Sequence, residues 1–397
     1  LALSPNDADA LSGIARACQT QHRLSEAVLA LRRAQRVAPE RIEPLMTLAP
    51  LYRETGAGEL AAQAYRLLSR RSPTANSLAS NGLLDRLYDP RPSADAIAEA
   101  EREFGRRALA QVSGPLVPAR ALQATTGPLR IGYVSADFGQ HAASWLGAAA
   151  LVSHDPSRVH AIYYDNGGQS DAMTARLRSA SATRAWTDIR TLDDASAAQR
   201  IAKDRLDILV DLSGHTRGNR LAVFAQRAAP VQIGWLGYPG SSGLPTMDYA
   251  LFDTAHAPEG SETLFTERLI RLPRLRFAYT PPDDAPAVAP APGGSTGRVT
   301  FGSFNNSSKL HPGLIALWAQ ILHAVPDSEI VLKWRSCADR TVCQRVQSWF
   351  ERAGIAGARV RCLALSSHRD MLADYGQVDI ARDTFPFSGG VTTTEAL

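Results

Sequence analysis

With 397 residues, 45% of them hydrophobic and 21% charged, the chain is long enough for two or three domains with sizeable cores and too poor in charge for a disordered protein. The net charge of +4 is not gathered into a dense basic run, which argues against a charge-driven nucleic-acid binder. No apolar run reaches the ~18 residues of a membrane span. The cysteines Cys18, Cys337, Cys343 and Cys362 contain no CxxC pair, so no metal site or redox motif is expected and a reducing, cytoplasmic setting is. The sequence starts at Leu1 and not at Met, and is expected to be a fragment.

Pro5, Pro39 and Pro73 are spaced by 34 residues, the period of the tetratricopeptide helix–turn–helix repeat. The positions between them agree. Leu11, Ile14, Ala15 and Cys18 share one helical face, and Ala27, Leu31 and Ala34 the next. Leu45, Leu48, Ala49 and Tyr52, then Ala61, Tyr65 and Leu68, repeat the pattern. Pro50 is expected to kink its helix. Residues 1–76 are therefore assigned to tetratricopeptide repeats. A helical linker over 77–128 follows, with helices at Ser77–Leu87 and Ala94–Gln111 and an irregular end from Val117 to Pro128.

From Leu129 the pattern changes to strand–helix alternation. Strands are expected at Leu129–Val134, His160–Tyr164, Ala185–Asp188, Leu206–Leu212, Val231–Leu236 and Met247–Phe252. This alternation predicts a parallel, doubly wound α/β lobe over 129–280. Ligands of such sheets sit at the carboxyl ends of the strands. Three loops at that edge hold candidates: Asp137 with His141, His215 in SGHTRG, and Tyr238, Pro239 and Gly240 in LGYPGSSG. A loop histidine can serve as a general base or only orient a hydroxyl, and a lone one is more often structural. The glycine-rich loop reads equally as a close-approach surface or a tight turn.

Residues 281–298 are rich in Pro, Ala and Gly without periodicity, and are expected to form a flexible insertion. A second α/β lobe over 299–397 opens on VTFGSFNNSSKLHP. There a short strand, the polar turn with Asn306, Lys309 and the helix start at Pro312 together make a diphosphate cradle. Further strands are expected at Ser328–Trp334, Val360–Leu365 and Val378–Ala381. The lobe ends on SGGVTTTEAL, where Gly390, Val391, Thr392 and Thr393 open a helix of phosphate-binding type and Glu395 can accept hydrogen bonds from a ribose. Two such lobes suggest a nucleotide-sugar transferase with a cleft between them.

Five stretches, LRIGYVSADFGQH, ILVDLSGHTRG, RAAPVQIGWLGYPGSSG with MDY, FGSFNNSSKLHP and QVDIARDTFPFSGGVTTTEAL, lie in this order behind the 34-residue repeats. In this the chain resembles the tetratricopeptide-containing protein O-GlcNAc transferases, in a bacterial form. The resemblance implies a GT-B fold of two Rossmann-like lobes. It also implies inverting, metal-independent transfer of N-acetylglucosamine from UDP-GlcNAc to Ser or Thr hydroxyls of proteins. The UDP-sugar is then a co-substrate and no cofactor is needed; the partner is a protein or peptide acceptor met through the cleft and the repeats, with neither nucleic acid nor membrane. By the same resemblance His141 is the active-site histidine and Lys309 neutralises the leaving diphosphate beside Asn306. Gly390 to Thr393 contact the β-phosphate, Glu395 the ribose, and Ser366 and His368 hold the uracil. Departures from the family are Met371 for His, no histidine near Ala202, and Gly-Gly-Val in place of Gly-His-Thr. The family pattern continues past Leu397, so the second lobe is expected to be truncated. Alternatives are a protein O-fucosyltransferase using GDP-fucose, an N-glucosyltransferase, and a non-catalytic repeat scaffold with a nucleotide-binding lobe.

Overall fold

A computed structural model describes residues 6–119 and 127–397. Pro5, the first of the spaced prolines, and positions 120–126 of the expected linker lie outside the described residues. The chain forms two compact units, one built from Leu1–Ser72, Asp85–Pro90 and Pro281–Leu397, the other from Pro73–Leu84 and Arg91–Thr280. The N-terminal helices thus fold with the last third of the chain, a grouping that composition alone does not reveal.

The first unit begins with α1 (Ala8–Thr20), α2 (Leu24–Val37), α3 (Glu43–Glu54) and α4 (Gly58–Arg71), each packed on the next. Their buried stripes are those the repeat pattern predicts, with Ala15, Ala27, Ala34, Ala49 and Ala61 fully enclosed. Small residues at these points let the helix axes approach. Ile14 and Tyr65 are only half-buried. Pro50 does not end α3: helical residues continue through it to Glu54. Arg53, near that end, makes a buried two-pronged ion pair with Asp85, at 2.9 and 2.7 Å. The helix α5 (Asn76–Leu87) and α6 (Ala94–Leu109) follow.

The second unit is a seven-stranded, wholly parallel sheet. Its strands are β1 (Leu129–Ser135), β2 (Val159–Asp165), β3 (Thr183–Asp188), β4 (Ile208–Asp211), β5 (Val231–Gly234), β6 (Tyr249–Asp253) and β7 (Arg268–Leu272), and its helices α7 (Ala142–Val152), α8 (Ala172–Ser179), α9 (Asp194–Lys203) and α10 (Leu221–Ala225). The order is β3-β2-β1-β4-β5-β6-β7, so the direction of winding reverses between β1 and β4. In register, Tyr133 of β1 faces Tyr163 of β2 and Val210 of β4. Strands covered on both faces read as continuous apolar runs, which is why β1 and β4 stand out in the sequence. The sequence pattern predicts neither the short α10 nor the strand β7. The latter, RLIRL, is a half-exposed edge strand whose arginines mask its apolar alternation. One face of the sheet packs on α6, α9 and α10 around Phe104, Ile201, Leu209 and Phe224.

The sheet of the first unit has four parallel strands, β8 (Thr300–Ser303), β9 (Glu329–Lys333), β10 (Val360–Leu363) and β11 (Ile380–Ala381), in the order β10-β9-β8-β11. Its helices are α11 (Gly293–Thr296), α12 (Pro312–Ala324), α13 (Arg340–Arg352), α14 (His368–Asp374) and α15 (Val391–Glu395). Trp318, Leu322, Trp349 and Phe350 fill the core between sheet and helices. The Pro/Gly-rich segment is tied to this unit: Gly293 N–H donates to Asp379 Oδ1 at 2.7 Å, and Arg369 Nε donates to the Asp284 carbonyl at 3.0 Å. Here the winding reverses between β8 and β11. A reversal point opens a crevice at the strand ends, where open α/β sheets take their ligands.

Candidate active site

The loops that leave β8 and β11 meet at this reversal point. The first carries Asn305, Asn306 and Lys309, and the second runs from Arg382 to α15. Lys309 Nζ donates to Asn305 Oδ1 at 3.0 Å and to the Ser388 carbonyl at 2.7 Å, and it lies 4.6 Å from the centre of the Phe387 ring. Burial pushes its pKa down to about 8, against the opposing pull of Asp383. A half-buried ammonium hydrogen-bonded to neutral oxygens, with the Asp383 charge nearby, is incompletely compensated, and an anion would complete it. Thr392 Oγ1 donates to the same Asn305 oxygen at 3.1 Å, which joins the two loops.

The second loop is held by Asp383, whose Oδ1 accepts from Thr384 N–H at 2.7 Å and Gly389 N–H at 2.6 Å. Gly389 admits no side chain, because a Cβ there would stand 2.0 Å from Thr393 Oγ1. Gly390 caps α15, Val391 opens it, and Thr394 bonds back to the Gly390 carbonyl. Glu395 side chain is only 1% exposed; its Oε1 is 2.6 Å from His368 Nε2, and its Oε2 has no hydrogen-bond partner among the described residues. The Glu395 hydrogen bond raises the pKa of His368. Such an unpaired buried carboxylate oxygen can accept from a donor such as a ribose hydroxyl. Ser366 Oγ donates to the neighbouring Ser367 carbonyl at 3.4 Å. Asn306 is occupied locally: its Oδ1 accepts from Ser308 N–H at 2.9 Å and caps the lysine turn.

The turn is braced from the N-terminal helices. Ser307 Oγ donates to the Glu54 carbonyl at 3.1 Å and accepts from Ser336 Oγ at 2.8 Å, while the Glu54 carboxylate grips Arg335 at 2.7 and 3.0 Å. Nothing in the sequence pairs Glu54 at the end of a repeat helix with a turn some 250 positions later.

In the second unit, His141 caps α7 through Nδ1, which accepts from Ala143 N–H at 3.4 Å and stands 3.5 Å from Asp137 Oδ1. Its side chain is 52% exposed. Burial raises the pKa of Asp137, and the His141 charge acts against this. His141, exposed, and Asp137, largely buried behind it, form a pair at the end of β1. The other candidates differ. His215 is fully enclosed, with Nδ1 2.9 Å from Ser80 Oγ and the Phe104 and Tyr238 rings edge-on at 4.7 and 4.9 Å. Burial drops its pKa to about 3, so it stays neutral. Tyr238 is buried and donates to Glu101 Oε1 at 2.8 Å; Pro239 is exposed and Gly240 half-buried. Nothing in the sequence marks Glu101 as a candidate. It sits on α6, 2% exposed, with its pKa pushed up to about 8 by burial.

Two open parallel sheets, each with a winding reversal at which such folds take their ligands, place the chain in the doubly wound α/β class. The family model for glycosyl transferase family 41 matches residues 112–279. In a solved structure of a mutant Thermobaculum terrenum O-GlcNAc transferase, 32% identical, the match covers 100% of this chain and 75% of that one with a TM-score of 0.92. A Solanum lycopersicum protein named a probable UDP-N-acetylglucosamine–peptide N-acetylglucosaminyltransferase, SPINDLY, is 37% identical over 334 residues, 82% of this chain and 35% of its own length. A Caenorhabditis elegans UDP-N-acetylglucosamine–peptide N-acetylglucosaminyltransferase is 37% identical over 165 residues, 41% of this chain and 14% of its own. The chain therefore spans about a third of the length of the SPINDLY relative. It belongs to glycosyl transferase family 41.

Proposed function

We propose that this chain carries the transfer machinery of an inverting protein O-GlcNAc transferase, which moves N-acetylglucosamine from UDP-GlcNAc to Ser or Thr hydroxyls of proteins without a metal or cofactor. In this reading α1–α4 are two tetratricopeptide repeats, and the two sheets are the Rossmann-like lobes of a GT-B fold. The 34-residue period, the two parallel sheets and the names of the relatives support it.

The observation that carries the reading is Lys309, a desolvated cation at the reversal point of its sheet, beside Thr392 and the unpaired Glu395 oxygen. When a sugar–diphosphate bond breaks, negative charge builds on the leaving phosphate. A fixed ammonium stabilises that charge without reorganisation. As the diphosphate arrives, the charged form of Lys309 gains a partner and its pKa rises again. Glu395 accepts from the ribose, with His368 holding the carboxylate in place and lying beside the base. His141 takes or orients the proton of the acceptor hydroxyl, with Asp137 behind it.

The test is transfer of labelled sugar to a Ser/Thr-rich peptide, with UDP-GlcNAc, GDP-fucose and UDP-glucose offered in parallel. Incorporation from UDP-GlcNAc alone is expected. Incorporation from GDP-fucose alone would replace the donor in this reading, and none from any donor would reduce the chain to a binding scaffold.

A further inference from the structure

Three of the four cysteines meet in the first unit, on residues that take no part in the site above. Cys337 lies in the turn after β9, Cys343 in the first turns of α13 and Cys362 on the edge strand β10. Their sulfurs all lie within 4.8 Å of one another, and all four cysteines of the chain are free thiols. The spacing, 337, 343 and 362, matches no metal motif; the parallel pairing of β9 with β10 and the entry of α13 close the triangle. The three thiols line a cavity of about 570 Å³ together with Arg340, Gln347 and Arg361.

We infer that Cys337, Cys343 and Cys362 form a three-thiolate site for a thiophilic divalent cation of the zinc class, with the fourth position open to the cavity. Tetrahedral zinc bonds sulfur at about 2.3 Å, which sets neighbouring sulfurs about 3.8 Å apart. The triangle need contract by at most about 1 Å to reach this spacing. Water or a small anion can complete the tetrahedron from the cavity side, where Arg340 and Arg361 offset the negative charge of three thiolates. Cys343 Sγ donates to the Cys337 carbonyl oxygen at 3.1 Å, which holds it at the mouth of the triangle. Metal binding displaces thiol protons to solvent, so uptake strengthens as pH rises. Asp339 is not the fourth ligand, because its oxygens cap α13 and accept from Ser25 N–H at 2.6 Å. The bound ion would staple the edge strand β10 to α13.

The test uses the full chain, fully reduced and without oxygen, titrated with Cd2+ alone and followed by the thiolate-to-metal absorption band. One equivalent is expected. Cys343→Ser and Cys362→Ser should each weaken uptake by about 100-fold or more, beyond the 10–100-fold that outer partners of a metal site carry. Cys18→Ser, in α1 and outside the cluster, should bind as the parent does. X-ray absorption of the zinc-loaded parent reads the site without any variant, and three sulfurs at about 2.3 Å are expected. The proposal is overturned if the reduced chain takes up no stoichiometric Cd2+ and instead only forms a disulfide on oxidation. It is equally overturned if the cysteine variants bind like the parent, or if the zinc shell holds only nitrogen and oxygen.

Discussion

Each of the two sheets has one point where its winding reverses, and the two points are furnished differently. In the second unit the strand ends are closed by their own loops. Asp165 at the end of β2 accepts from Gly167 and Gly168 N–H, Asp211 at the end of β4 from Ser213 and Gly214, and Asp253 at the end of β6 from Ala255 and His256. Beyond the ends of β1 and β4 the two loops approach closely: a Cβ on Gly218, which has a φ of 82°, would stand 2.8 Å from the Ala136 Cβ. In the first unit the aspartate that closes its loop, Asp383, leaves Lys309, Thr392 and Glu395 beside the reversal point with a partly desolvated cation and an unpaired oxygen among the described residues. A buried polar atom short of a partner occurs at both points, since Ser213 Oγ and His215 Nε2 share that state with Glu395 Oε2 among the described residues; what sets the first unit apart is the lysine beside such an atom.

Substitutions at the two points should separate these roles. The largest effect is expected for Lys309→Ala, whose transfer rate should fall by about 10²–10³, the cost of one lost donor to a developing anion. Its melting temperature should not fall; a parent-like transfer rate would remove Lys309 from the phosphate site. His215→Ala should behave in the opposite way. It empties a packed space between Phe104 and Tyr238 and orphans Ser80, so a loss of about 2–4 kcal/mol of stability is expected. Transfer per folded molecule should persist, and a selective loss of turnover would bring His215 back as a site residue. His141→Ala should cost no more than about 1 kcal/mol of stability, the value of a cap. A large drop in transfer at unchanged stability is expected, and activity like the parent's would leave His141 as a cap alone.

The smallest effect is a pH dependence of the second unit. Burial raises the folded-state pKa of Glu101 to about 8 and of Asp211 to about 6. Between the ordinary carboxylate range and those values the folded chain binds protons that the unfolded chain has released. Stability from these groups is therefore full at lower pH and is lost as pH rises toward 8. The melting temperature of that unit should fall between about pH 5 and pH 8, and Glu101→Gln should flatten the fall. A steeper fall in the variant would place the titration elsewhere.

The sequence carried the alternation of strands and helices, the repeat faces and the lysine turn, because each depends on local periodicity or on one contiguous stretch. It concealed what depends on distant chain segments meeting. Glu101 lies on a helix read as linker, and only the pairing with Tyr238 makes it a buried acid. Glu54 braces the lysine turn from the end of a repeat helix. The three cysteines come together only through the β9–β10 pairing. β7 is hard to see in the sequence because Arg268 and Arg271 interrupt its short apolar run.

The central claim, that Lys309 serves the diphosphate, is tested most directly by titration calorimetry with UDP and with uridine, on the parent and on Lys309→Ala, across pH 7 to 9. UDP should bind the parent more tightly than uridine, and its affinity should fall above pH 8 as Lys309 loses its proton. In Lys309→Ala the advantage of UDP over uridine should shrink by about tenfold or more, the worth of one charge-assisted contact, and the pH dependence should vanish. An undiminished UDP advantage in the variant, with the same fall above pH 8, would contradict the assignment.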